Sequence, residues 1–233
     1  MSELSVRLEE VRRRIARAAL RAGRAPETVQ LVAVSKRHPA AAVREAHALG
    51  VRIFGENYAQ ELVAKAAEVG ALSGIAWHMI GHLQTNKARQ VAPVAACVQT
   101  IDSAHLAAEL AKRAAQAGRS IDVLLEVNVA RDPKKSGCAP ADLASLVDAV
   151  LAQAPCLRLR GLMTMPRETE NPEDARPVFA ELRALQAAHG GPARLPELSM
   201  GMSDDFEIAI EEGATIVRVG TALFGERPAR AAD

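Results

Sequence analysis

Short β-branched apolar runs alternate along the chain with stretches whose apolar positions recur every three or four residues, and most of those stretches close on glycine. Eight runs read as strands: residues 29–36 (VQLVAVSK), 51–57 (VRIFGEN), 76–81 (AWHMIG), 97–102 (CVQTID), 121–129 (IDVLLEVNV), 157–165 (LRLRGLMTM), 196–201 (PELSMG) and 214–224 (ATIVRVGTALF). Helical faces lie between them. Val43, Ala46 and Leu49 precede Gly50; Leu62, Val63, Ala66 and Val69 precede Gly70; Leu106 and Leu110 run from a Ser103 cap to Gly118. Leu143, Leu146, Val147 and Val150 follow Pro140, Phe179, Leu182 and Leu185 follow an Asn171–Pro172 start, and Phe206 and Ile210 precede Gly213. Residues 84–94, cut by Pro93, predict only a short helix.

Strands alternating with helices imply parallel pairing through right-handed crossovers, and eight such strands close into a (β/α)8 TIM barrel, with an open doubly wound sheet as the rival. The pattern predicts nothing helical after the eighth run, whereas Leu4, Leu8, Val11, Ile15 and Ala18 define an amphipathic helix before the first. That extra N-terminal helix, residues 1–22, is expected to cover the gap beside strand eight. Residues 29–224 form the barrel, and 1–233 is expected to be a single domain.

Composition narrows the function classes. A net charge of +1 gives no bulk field for nucleic acid or an anionic membrane. Cys97, Cys138 and Cys156 are odd in number and form no C-x-x-C pair, which argues against a disulfide framework or zinc cluster and fits a reducing, cytoplasmic location. No segment approaches the ~18 unbroken apolar residues of a membrane span, and the N-terminus reads as unprocessed. The charge-rich RLEEVRRRIAR stretch reads as a solvated helix face with i,i+4 pairs. His78 and His82 have metal-ligand spacing only on a helix; here they fall on a strand and turn, so no metal is expected. The QTNK segment reads as a helix start.

In a parallel barrel the chemistry sits at the C-terminal ends of the strands. Those ends carry Lys36, Glu56, Asn57, Tyr58, His78, His82, Asn128, Met163, Thr164, Ser199, Gly201, Ser203, Arg218, Gly220 and Thr221. LSMGMSDD and VRVGTALFG read as phosphate cradles, because glycine lets backbone N–H groups approach an anion; alternatively, Ser203 caps a helix and Gly220 relieves crowding. Asp204 and Asp205 suit an anion site only if they point away from it. Within TIVRVG, period-2 alternation puts Arg218 on the side of Ile216 and Gly220, opposite Val217 and Val219, and so inside the barrel. A buried guanidinium needs a partner, either a carboxylate such as Glu56 or Glu126 or an acceptor on a ligand. A lysine, a phosphate cradle and an arginine facing a pyridine nitrogen are the parts that hold pyridoxal 5'-phosphate (PLP) as a Schiff base. Burial and a nearby cation would lower the Lys36 pKa from ~10.4 toward neutrality, and a permanently charged arginine cannot protonate the ring nitrogen.

LVAVSKRHP, FGENYAQEL, WHMIGHLQTNK, KKSG, RGLMTMP and LSMGMSDDFEIAIEEGATIVRVGTALFG together resemble the pyridoxal phosphate homeostasis protein family, the YggS/PROSC-like group, over nearly the whole chain. The resemblance implies a barrel of the alanine-racemase N-domain type (PLP fold type III), with the cofactor pyridoxal 5'-phosphate on Lys36. It implies phosphate contacts from Ser199, Gly201, Gly220 and Thr221, Arg218 near the ring nitrogen, and Asn57, His78 and Met163 lining the pocket. Lys135 matches a family lysine connected with holding vitamin B6 vitamers.

Two classes of function follow: a racemase or decarboxylase, or a protein that buffers and delivers PLP without turnover. The resemblance implies that racemases on this barrel draw a second base from an appended β-domain, and only nine residues follow Phe224. The expectation is therefore a monomeric, non-catalytic PLP carrier in the cytoplasm, whose partners are PLP, other B6 vitamers and PLP-dependent apo-enzymes. A weak amino-acid racemase or another fold type III PLP enzyme acting on a small substrate is the alternative.

Overall fold

The computed structural model describes residues 2–226. Met1 and residues 227–233 lie outside them, and with them the outermost ends of the expected 1–22 helix and 1–233 domain. Eight strands, β1 Gln30–Val34, β2 Ile53–Glu56, β3 Ala76–Met79, β4 Cys97–Ile101, β5 Ile121–Glu126, β6 Leu157–Met163, β7 Glu197–Ser199 and β8 Ile216–Val219, pair in parallel and in chain order, and β8 returns to β1 to close the barrel. The helices are α1 Glu3–Arg21, α2 Ala40–Ala48, α3 Ala59–Val69, α4 Ala88–Val91, α5 Ala104–Gln116, α6 Leu143–Leu151, α7 Arg176–Ala188, α8 Gly191–Arg194, α9 Phe206–Glu211 and α10 Thr221–Phe224. Among the described residues, no helix is long and apolar enough to cross a membrane.

Each expected strand is present but shorter, because a barrel strand lasts only while both neighbours can pair with it. β1 ends at Val34, so Lys36 stands on the turn beyond it, ahead of Pro39 at the start of α2. The eighth run corrects the sequence reading: β8 stops at Val219, and Thr221–Phe224 turns into α10, so a helical turn does follow the last strand. An apolar run of that length does not distinguish the two by pattern alone. Asn171 caps a 3-10 turn at Pro172–Ala175 before α7 begins, and α8 had no counterpart in the sequence pattern.

The first helix lies where the pattern put it. Ser2 caps α1 by accepting from the Ser5 N–H at 3.2 Å. Its face of Leu4, Leu8, Val11, Ile15 and Ala18 is buried, and it packs against α9 and α10 beside β8. Arg14 pairs with Glu207 at 2.8 Å while its guanidinium lies 4.5 Å over the Phe206 ring, and Arg24 donates to the carbonyls of Ile210 and Ala214 at 3.0 and 2.8 Å.

Strand alternation divides the side chains into two sets. Outward-facing Ala33, Phe54, Trp77, Val98, Val123, Leu162, Val217 and Val219 join the core shared with the helices. Inward-facing Val32, Cys97, Leu124, Met163 and Ile216 form a separate apolar plug inside the barrel. Two residues further along β4, β5 and β8 the buried inward residues become polar, as Gln99, Glu126 and Arg218, and buried His78 of β3 and Ser199 of β7 join them. A dry floor beneath a polar upper layer confines the chemistry to the C-terminal end.

Candidate functional site

At that end a pocket of about 210 Å³ is lined by Val34, Lys36, Asn57, Ile80, Met165, Glu168, Met202, Ser203, Asp204, Arg218, Gly220 and Thr221. Five of the nine residues that the resemblance places around the cofactor, Lys36, Asn57, Arg218, Gly220 and Thr221, therefore meet around one space, and Ser203 joins them. His78, Met163, Ser199 and Gly201 are buried and do not line it. Met163 belongs to the apolar plug. Gly201 adopts φ +88°, and a Cβ there would lie 2.6 Å from the Ala209 Cβ and 2.8 Å from the Phe206 Cα. It allows the turn after β7 to pack against α9.

Ser199 takes part in a buried relay. Arg218 Nη1 donates to Ser199 Oγ at 2.7 Å, and Ser199 Oγ donates to Gln99 Oε1 at 2.7 Å. This leaves the Gln99 amide nitrogen to donate to His78 Nδ1 at 2.9 Å. Burial pushes the His78 imidazole down to about 4, so at neutral pH the ring is uncharged and the relay places its single proton on Nε2. Arg218 Nη2 donates to the Thr164 carbonyl at 3.0 Å. Burial lowers Arg218 to about 10, still well above neutral pH, so it remains a fixed cation.

Of the two partners expected for Arg218, the carboxylate is not the one it bonds. Its hydrogen bonds go to a hydroxyl and a carbonyl rather than to Glu56 or Glu126. Glu56 is held instead by Lys65 and Ser35, each at 2.6 Å. Glu126 is buried, and its Oε2 has no hydrogen-bond partner among the described residues. Burial, with a smaller push from Asp102 and opposed by Arg218 and Lys135, raises its carboxyl from 4.5 to about 7.

That shift has a direction in stability. Between pH 4.5 and 7 the folded chain holds a proton on Glu126 that the unfolded chain has released, so stability falls as pH rises through this window. At about 1.4 kcal/mol per unit, the carboxyl accounts for a loss of about 3 kcal/mol. Urea unfolding of Glu126→Gln across this range should give a flatter profile than the wild type. Some slope will remain, because burial also raises Glu56, Glu197 and Asp205.

Ser203 does not cap α9, whose N-cap is Asp205. The Ser203 Oγ accepts from the Gly220 and Ala222 N–H groups, both at 3.3 Å, so a hydroxyl and two backbone donors converge at one corner of the pocket. A Cβ on Gly220 would lie 3.4 Å from Val34, which keeps this corner close to β1. The two aspartates behave differently. Asp205 turns back to accept from the Met202 N–H at 2.6 Å, whereas Asp204 lines the pocket, so only Asp205 meets the condition that an anion site sets for this pair.

Several other residues are clear of the pocket. Asn128 braces the loop after β5 through the carbonyls of Asp132 and Lys135, at 2.8 and 3.3 Å. Lys135 Nζ reaches the Met165 carbonyl at 3.3 Å and also donates to the Pro166 carbonyl, tying that loop to the one after β6. His82 is exposed, 3.4 Å from Asp102. Among the described residues, no group of three or more His, Cys, Asp or Glu is placed to hold a metal ion. Gln99, Lys65 and Gly81 escaped the sequence reading. The signal for Gln99 was the same as for Arg218, a polar residue on the inward phase of a buried strand.

The alanine racemase N-terminal domain family matches residues 6–228. A pyridoxal phosphate homeostasis protein of Pseudomonas aeruginosa is 49% identical over 227 residues, covering 97% of each chain. One from Bos taurus is 39% identical and covers 94% of this chain and 86% of its own. The structure of PipY from Synechococcus elongatus with PLP bound superimposes with a TM-score of 0.83 at 40% identity, over 96% of this chain and all of that one. A histidine racemase from Leuconostoc mesenteroides shares the fold, with a TM-score of 0.73 at 18% identity, but the match takes in only 57% of its chain. The chain belongs to the alanine racemase N-terminal domain family and, within it, to the pyridoxal phosphate homeostasis proteins.

Proposed function

We propose that this protein binds pyridoxal 5'-phosphate at Lys36 and serves intracellular B6 homeostasis as a carrier with little or no turnover. The observation that carries the reading is the meeting of Lys36, Arg218, Gly220 and Thr221 around one pocket of a chain in this family. The pocket suits the cofactor on its own terms. It is small, as a single-ring ligand requires, with a fixed cation in its lining and, at one corner, the Ser203 hydroxyl holding the Gly220 N–H.

When bound, the cofactor supplies an aldehyde that condenses with an amine. In this reading Lys36 provides the amine. Gly220, Thr221 and Ser203 hold the phosphate end, and Arg218 faces the ring nitrogen. Ser199 and Gly201 then act from beneath: Ser199 by orienting Arg218, Gly201 by shaping the turn. His78 acts as the neutral terminus of the relay, and Met163 as part of the floor. Arg218 stays charged and keeps its protons, so it would donate a hydrogen bond without protonating the ring nitrogen, which weakens any carbanion chemistry relative to a carboxylate partner.

The carrier reading, as against a racemase, draws support from two observations. Neither histidine nor tyrosine lines the pocket among the described residues, where the carboxylates Glu168 and Asp204 are the candidate bases besides Lys36, and Tyr58, the only tyrosine in the sequence, is 57% exposed on a neighbouring groove. Proton exchange on both faces of a substrate needs a second base facing Lys36. The homeostasis relatives match this chain over 86–98% of their own lengths, whereas the racemase carries much additional chain. Buried Cys97 and Cys138 and half-buried Cys156, none in a disulfide, fit the cytoplasm. We take the protein to act as a monomer that passes PLP to apo-enzymes and meets other B6 vitamers.

The PLP-loaded protein incubated with L-alanine, L-serine and L-threonine should change enantiomer composition no faster than free PLP. Rates well above that level would favour the racemase.

A further inference from the structure

Lys36 sits between two residues that are anchored by the same buried cluster. On one side, Ser35 donates its hydroxyl to Glu56 Oε1 at 2.6 Å, and its carbonyl accepts from Lys65 Nζ at 2.7 Å. On the other, the Arg37 N–H donates to Glu61 Oε1 at 2.5 Å, and Arg37 holds φ at +66°, in the left-handed region that non-glycine residues avoid. Lys65 joins the two sides. Its ammonium also donates to Glu56 Oε1 at 2.6 Å and Glu61 Oε1 at 2.9 Å, so its three N–H donors meet three acceptors.

Lys65 is 6% exposed and Glu56 is fully buried, so this is an interior ion pair rather than a surface one. Such a pair is a poor source of net stability, since desolvation offsets most of the attraction, and its usefulness lies in fixing one geometry. Here the geometry fixed is that of the lysine turn. The cluster draws on α3 and the end of β2, and the turn is steadied from the far side as the His38 ring stacks on Phe224 of α10 at 5.1 Å.

We propose that Lys65, Glu56 and Glu61 are positioning residues for Lys36: they hold Ser35 and Arg37 so that the amine between them projects into the pocket, while keeping the Lys65 amine fully bonded and unreactive. This inference rests on the B6 reading above. It adds that the direction of Lys36 is imposed by a buried lysine that never touches the ligand, and that the left-handed residue beside it is stable only while Glu61 accepts its N–H.

Lys65→Met would leave Glu56 buried without its cation and could prevent folding, so the test uses Glu61→Ala, at a half-buried carboxylate. The second variant adds Arg37→Gly, because glycine adopts the required φ without support. Glu61→Ala should weaken PLP binding about tenfold, the scale of an unsupported left-handed residue. Adding Arg37→Gly should restore affinity to within about threefold of wild type. In the apo-protein, competitive acetylation should show the reactivity of Lys36, relative to exposed Lys112, altered by Glu61→Ala and returned by Arg37→Gly.

Unchanged affinity in Glu61→Ala, or a double variant no better than the single one, would overturn the proposal. If wild type failed to take up PLP at all, the B6 reading would fall, and the acetylation comparison would still decide whether the cluster positions Lys36.

Discussion

Lys36→Ala should lose the near-visible absorbance that PLP gives on covalent capture and bind PLP at least about a hundredfold more weakly, a penalty of about 2.7 kcal/mol or more. The fold should hardly register the change. Lys36 is half-buried on a turn beyond β1, outside the barrel ladder, and truncation of such a residue changes stability by about 0.5 kcal/mol or less. Residual weak binding should persist, since the donors around Ser203 and the Arg218 cation are untouched. Absorbance titration with equilibrium dialysis reads both effects. Retention of the absorbance in the variant would mean that another amine captures the aldehyde.

The second large effect comes from a residue without a side chain. Gly81 follows β3, and a Cβ there would lie 2.2 Å from the Asn57 carbonyl oxygen and 2.8 Å from two other Asn57 backbone atoms. Backbone cannot swing aside as a side-chain tip can, so Gly81→Ala must push the end of β2 away from β3. It would also strain the bond that Thr100 Oγ donates to the Gly81 carbonyl at 2.8 Å. The expected cost is about 3 kcal/mol, seen as a midpoint lowered by about 6–12 °C in thermal unfolding. Because Asn57 lines the pocket, PLP affinity should fall as well. Gly118→Ala makes a control, since a Cβ there meets nothing within 4 Å and φ is +63°; it should cost only about 1 kcal/mol and leave binding unchanged. Equal effects at the two glycines would refute the role assigned to close approach.

The comparison of sequence with structure turns on which interactions are local. Strand order and the inward face of Arg218 were legible because period-2 alternation is a property of consecutive residues. The end of β8 was not, since the apolar residues of Thr221–Phe224 fit a strand or a helical turn equally well. Partners across the barrel were harder still. Glu56 was a reasonable counterion for Arg218 until α3 brought Lys65 to it, and a lysine in a helix ordinarily reads as solvated. One clue was available: Lys65 lies three residues after Leu62 and four before Val69, on the buried stripe of α3. Likewise, Ser199 and His78 belonged with the site but one layer below it, a depth that depends on barrel closure and so could not be read from strand ends.

The central claim is that a single amine, at Lys36, captures the B6 aldehyde, and reduction of the PLP-saturated wild-type protein with borohydride followed by peptide mass mapping tests it most directly. The account predicts one phosphopyridoxyl group per chain on the peptide that contains Lys36. A protein that stays colourless and unlabelled, or a label found on Lys65, Lys135 or another lysine instead, would contradict it.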